Sequence, residues 1–195
     1  MQKKRFERQT RCAAREFRTQ ETDGKRYIEA YFAVFDSVYE IWPGMTESID
    51  RGAFDGALED DIRCLTDHIP HLVLGRTHAG TFELRVDTHG LWGRVQINEE
   101  DSDALNLYAR VKRGDVSQCS FGFDILEEDC EHRADGSTHY TIKRVKLYEG
   151  SICTFPAYKE TSALARSQER KKRAKDWKDK MTRRLRRDGT QTGDA

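Results

Sequence analysis

Three side chains have the types that nucleophilic chemistry needs: Ser120 in VSQCSFGFDIL, His68 in CLTDHIPHLVLGRT and Glu149 in VKLYEGSICTFPAY. A serine hydroxyl is a weak nucleophile until a neighbouring base takes its proton. Histidine suits that task because its pKa lies near neutrality. Strand alternation puts Ser117, Cys119, Phe121, Phe123 and Ile125 on one face, and Ser120, Gly122 and Asp124 on the other. Gly122 has no side chain, which inside a strand marks close approach by another backbone or a ligand. The same pattern also describes a serine on a solvated strand face beside a packing glycine. Val145, Leu147 and Glu149 share one face, so a carboxylate follows two apolar residues inward and needs a cationic or hydrogen-bonding partner. If the strand ends at Tyr148 instead, Glu149 is a loop residue.

Other chemistries fit less well. Cys119 adjoins Ser120 but points with the phenylalanines into the core, where an apolar setting raises a thiol pKa and suppresses its reactivity. His68 and His71 form H-x2-H with His78 following, yet no paired cysteine or second histidine cluster stands at ligand spacing. No metal and no cofactor is expected. Cys12, Cys64, Cys119, Cys130 and Cys153 are an odd, scattered set without a CxxC pair, which points to a reducing compartment rather than a disulfide framework. The N-terminus lacks the apolar run of a signal peptide, and no stretch approaches the ~20 apolar residues of a membrane span.

Strands must position these groups. Tyr27 to Phe35 reads as a strand, and ESIDRGAFDGAL as a short helix capped by Asp50. Thr81–Val86 and Leu91–Ile97 alternate on either side of DTHG and predict a hairpin. Asp101 or Ser102 caps a helix with the stripe Ala104, Leu105, Leu107, Tyr108 and Val111, stopped by Gly114. A strand from about Ser117 to Leu126 follows, then EEDCEHRADGS as a surface loop. A last strand pair covers roughly Thr138–Tyr148 and Ser151–Phe155. Apolar residues make up 36% of the chain and charged ones 35%, enough for one core with much of the sequence facing water. The division expected is a flexible charged arm over 1–25, one domain over 26–161, and a basic helical or disordered tail over 162–195. That tail makes the zero net charge deceptive. Ala165 to Ala195 holds 12 Lys/Arg against 5 Asp/Glu, leaving the body acidic. The fold expected is mainly β (α+β), a small closed or half-closed β domain with a few helices.

Taken in order, YFAVFDS, ESIDRGAFDGAL, DIRCLTDHIPHLVLGRTHAGTFEL, GLWGRVQI, VKRGDVSQCSFGFDI and VKLYEGSICTFPAY resemble the prohead (head-maturation) serine proteases of tailed bacteriophages. The resemblance spans about Tyr27 to Thr161. It implies a small β-barrel with flanking helices like that of the herpesvirus assemblins, with Ser120 as nucleophile and His68 as base. The third member is Glu149, with Asp67 as rival, because Asp67-His68-Ile69 departs from the family's commoner Asn-His-Asp. Arg76 and backbone amides are candidate oxyanion donors. The implied enzyme is a serine endopeptidase that works in the host cytoplasm, inside the immature capsid. It would cut the scaffolding region of the capsid protein and itself. The implied partners are the capsid protein and, as in assemblins, a second copy of the chain; the basic tail would dock an acidic scaffold or weakly bind nucleic acid. The alternative is a catalytically silent assembly module that uses its tail to organise capsid subunits.

Overall fold

The computed structural model describes residues 9–13 and 17–155. Alternating apolar residues draw most of them into strands: β1 (Gln9–Ala13), β2 (Arg18–Thr22), β3 (Lys25–Val34), β4 (Tyr39–Trp42), β5 (Met45–Ile49), β6 (Arg63–Thr66), β7 (Ile69–Arg76), β8 (Phe82–Val86), β9 (Gly90–Gln96), β10 (Gln118–His132) and β11 (Thr138–Cys153). Helix α1 (Ser102–Arg113) lies between β9 and β10. The chain is mainly β, as expected, but its strands form two sheets that do not close into a barrel.

One sheet runs β2-β3-β9-β8, antiparallel throughout. The other runs β1-β10-β11-β5-β4, and β6 with its hairpin partner β7 joins it on β11. The long β11 organises this sheet. Along one edge it pairs antiparallel with β10 from end to end. Its other edge takes β5 in parallel at Thr138–Ile142 and then β6 in parallel at Glu149–Ile152. The β6–β7 hairpin is thereby held beside the last residues of β11.

The core lies where the apolar faces of the two sheets meet. Phe121 and Phe123 of β10 stack with centroids 4.6 Å apart, and Phe54 meets Phe121 edge-on at 5.7 Å. Phe32, from β3 in the other sheet, packs against Phe82 and over Gly150 of β11. Aromatic pairs at such spacings add about 0.5–1.5 kcal/mol beyond their burial.

Several local expectations hold. Leu91, Val95 and Ile97 are buried on one face of the β8–β9 hairpin. Asp87 Oδ1 accepts from the amides of His89 and Gly90 and so closes its turn. Asp101 caps α1 by accepting from the amides of Asp103 and Ala104, and Gly114 ends it with φ 89°. Ala104, Leu107, Tyr108 and Val111 form the buried stripe.

Others do not. In ESIDRGAFDGAL the first three residues end β5 and the rest forms successive four-residue turns rather than a helix: Ala53 N donates to Asp50 O, Asp55 N to Gly52 O and Ala57 N to Phe54 O. Gly56, at φ 73°, prevents helical continuation. Asp50 caps a turn, accepting from Gly52 N, and Phe54 and Ala53 still reach the core. The acidic stretch is strand as far as His132, and the expected final strand pair is the single β11. Opposite charges face each other there, Glu127 with Arg144 and Asp129 with Lys143, which offsets a polarity that otherwise reads as loop. The segment expected as a loose arm contains β1 and β2. The basic tail lies outside the described residues.

Gly150 is the tightest junction between the sheets near β6. A Cβ there would stand 2.7 Å from a ring carbon of Phe32. Gly150→Ala is expected to destabilise the domain by about 1–3 kcal/mol through overpacking. Urea unfolding checks this, and an unchanged midpoint would show that Phe32 yields freely.

Candidate active site

β6 and β7 are joined by the two residues Asp67 and His68, both with positive φ, 49° and 59°. Positive φ at both central positions is the geometry of a type I′ hairpin turn, which matches the twist of the flanking strands. Neither residue is glycine, so the turn carries strain of roughly 1–2 kcal/mol per residue. Bonds to the end of β11 offset it. Asp67 N donates to Ile152 O, and the Asp67 carboxylate accepts from Thr154 N at 2.7 Å and from Thr154 Oγ1 at 3.1 Å. His68 N donates to Ser151 Oγ at 3.2 Å. A turn fixed this way aims the His68 ring back over the strand.

The ring meets Glu149. Its Nδ1 lies 2.7 Å from Glu149 Oε1, with the carboxylate 1% exposed and the imidazole 24% exposed. The other oxygen, Oε2, accepts from Ser151 Oγ at 2.6 Å. An ionised carboxylate has only acceptors, so Nδ1 is the donor in this contact.

Glu149 reaches this place through an irregularity. Phe123 pairs with Leu147, but the next residue back on β10, Gly122, pairs with Glu149. Tyr148 is therefore an extra residue, a β-bulge, and the faces exchange across it. Leu147 remains with the core and Glu149 turns to the opposite face. The expectation that Val145, Leu147 and Glu149 share a face is corrected at this point. Glu149 is buried, as its pattern suggested, but on the side of the sheet that carries Ser120 and Gly122.

Ser120 pairs directly with Ser151 across β10 and β11, so their Cβ atoms are ~4.5–5.5 Å apart on one face. The order across the sheet is thus Ser120, then Ser151, with His68 held above Ser151 by Glu149 on one side. Ser120 is fully buried, and its Oγ has no hydrogen-bond partner among the described residues. A buried hydroxyl left unpaired costs about 1–3 kcal/mol.

The family model of the caudovirus prohead serine proteases matches residues 14–176. The chain belongs to that family. It is 29% identical to the prohead protease of Enterobacteria phage HK97 over 144 residues, 73% of this chain, and spans 61% of that relative's length. A similar solved structure is the capsid assembly protease of bacteriophage T4. It has 12% identity and a TM-score of 0.40, over 73% of this chain and 97% of that one.

Within the family's framework the remaining residues sort by what they touch. Asp67 spends its carboxylate on Thr154 and not on the imidazole, so its contacts are those of a turn anchor. Arg76 is paired through Nε and Nη2 with Asp61, and this guanidinium holds the Asp61 carboxyl below the usual carboxylate range. Cys119 is fully buried, its Sγ 2.8 Å from the carbonyl of Tyr31. His78 stands 3.8 Å from Asp61, away from the His68 turn.

Two residues of the site escaped the sequence reading. Ser151 links Glu149 to the backbone of His68, and Cys153 Sγ lies 3.7 Å from His68 Nε2. They follow Glu149 by two and four residues, which signals a shared face once the bulge is known. Nearby, burial pushes the Cys64 thiol well up, and the Glu149 charge adds to the effect. That thiol stays protonated.

Ser151→Ala strips a donor from Glu149 Oε2 and the acceptor from His68 N at once. It is expected to cost about 1–3 kcal/mol of stability. Chemical denaturation measures this, and a loss under about 0.5 kcal/mol would return Ser151 to the class of incidental contacts.

Proposed function

We propose that this chain is a serine endopeptidase of phage head maturation, with Ser120 as nucleophile, His68 as general base and Glu149 as the residue that orients the base. The observation that carries the reading is the 2.7 Å contact of His68 Nδ1 with a carboxylate buried one strand away from Ser120. Family membership supports the reaction class.

In this mechanism the His68 ring, whose Nε2 is not hydrogen-bonded to Ser120 Oγ in this structure, first closes on that hydroxyl; Nε2 then takes its proton as Oγ attacks a peptide carbonyl, and the same nitrogen protonates the leaving amine. Glu149 holds Nδ1–H and stabilises the imidazolium that forms between those steps. Its low exposure strengthens that interaction, because little water competes. Ser151 keeps the carboxylate from rotating away. Arg76, a candidate donor to the developing oxyanion, holds Asp61 through Nε and Nη2 and keeps its Nη1 hydrogens for such a role; backbone amides are the other source. The substrates are the scaffolding region of the phage's own capsid protein and the protease chain itself. The place of action is the interior of the prohead, in the host cell.

Co-expression with that capsid protein is expected to yield shortened capsid chains, and Ser120→Ala to leave them full length. Cys119→Ala and Ser117→Ala should cleave normally. Continued cleavage by Ser120→Ala would remove the nucleophile assignment. Glu149→Gln is expected to slow shortening by on the order of 10²- to 10⁴-fold. Asp67→Asn, which keeps an acceptor for Thr154 N, should act within a few-fold of the parent. Time courses of capsid shortening give both rates, and the opposite ranking would make Asp67 the orienting residue.

A further inference from the structure

Ser120, which the reaction requires to give up a proton, is fully buried and has no hydrogen-bond partner among the described residues. The base that takes that proton is engaged elsewhere. Both nitrogens of the His68 ring meet residues of β11: Nδ1 lies against Glu149, and Nε2 lies 3.7 Å from Cys153 Sγ. The ring is therefore aligned along β11 rather than across it toward β10. Between Gln118 and Gly122 the register of β10 with β11 is regular, with Ser120 facing Ser151 and Gln118 facing Cys153. Ser120 and Cys153 are thus diagonal neighbours on one face, their Cα atoms ~7–8 Å apart. A hydroxyl and a thiol flank one imidazole, and Nε2 has a single lone pair to offer them when Nδ1 holds the proton.

We propose that Cys153 is a positioning residue that holds the His68 ring off the nucleophile, so that Ser120 and Cys153 compete for Nε2. The inference rests on Ser120 and His68 as the reacting pair. Cys153 is 1% exposed, so little water competes for its thiol. Its one hydrogen has two acceptors at 3.7 Å, the ring nitrogen and the carbonyl of Ser151, and a thiol is a weak donor. The hold is consequently slight. A small swing of the ring about the Glu149 contact exchanges the thiol for the hydroxyl, and the thiol then turns to the Ser151 carbonyl without being left unpaired. The chemistry at position 153 sets the balance. A hydroxyl there would bind Nε2 more strongly than the thiol, and a methyl group would not bind it.

The test is the rate at which a fluorophosphonate labels Ser120 in the full chain, a step in which Oγ bonds to phosphorus, fluoride leaves and His68 takes the proton. Cys153→Ala is expected to label about three- to tenfold faster than the parent, and Cys153→Ser slower by a similar factor. A purely structural role would slow both. If alanine leaves a cavity that impairs folding, Cys153→Val fills it and is expected to share the faster rate. The contact also has its own signature, the S–H stretching band of Cys153, identified by subtracting the infrared spectrum of Cys153→Ser from that of the parent. His68→Ala should move that band toward the position of a weaker hydrogen bond. An unmoved band, or labelling that slows or stays level in both the smaller variants, overturns the role of Cys153 while leaving capsid cleavage by Ser120 standing. Labelling of Ser120 in none of the chains would overturn it as well, and the capsid chains made with Ser120→Ala then show separately whether the nucleophile assignment survives.

Discussion

A carboxylate that is 1% exposed has to be surrounded by donors, and the sheet around Glu149 is arranged to supply them. One oxygen takes the His68 ring and the other takes the Ser151 hydroxyl. Both partners depend on β11 in turn. Ser151 is two residues further along that strand, and the turn that carries His68 is bonded to Ser151, Ile152 and Thr154. The pair of β11 with β6 is parallel and short, and these side-chain bonds add to its ladder in holding the hairpin.

The bulge at Tyr148 connects the core to this constellation. Strand residues two apart share a face, and a regular β11 would have sent Glu149 after Leu147 into the phenylalanine cluster. One inserted residue turns the carboxylate to the other side at the position where β10 presents Ser120 and Gly122. Beyond it, Gly150 and Ile152 face the core and Glu149, Ser151 and Cys153 face the imidazole, so a five-residue stretch serves packing and chemistry together. The close approach of Phe32 to Gly150 leaves no room to shift that stretch. The Ser120 hydroxyl is fully buried on the face opposite the phenylalanines, and access to it requires an element to move.

Most of the elements were legible in residue order. The α1 stripe, its Asp101 cap and its Gly114 stop rest on contacts within one turn of helix, and the β8–β9 hairpin on a turn of four residues. Such local rules act wherever the residues occur. ESIDRGAFDGAL failed as a helix because Gly52 and Gly56 interrupt it while its apolar residues still found the core through turns. The acidic half of β10 failed as a loop because its strand character comes from pairing with the first half of β11, whose far edge β5 holds.

The residue types required for the chemistry, the burial of Glu149 and the core side of Cys119 were all present in the sequence pattern, because alternation and polarity are properties of short segments. The meeting of His68 with Glu149 rather than Asp67, the parts played by Ser151 and Cys153, and the complete burial of Ser120 were not. They depend on the bulge register between β10 and β11 and on the pinning of a strained turn to a strand some eighty residues later. Each is a pairing between remote segments, and its geometry exists only after the sheets have assembled.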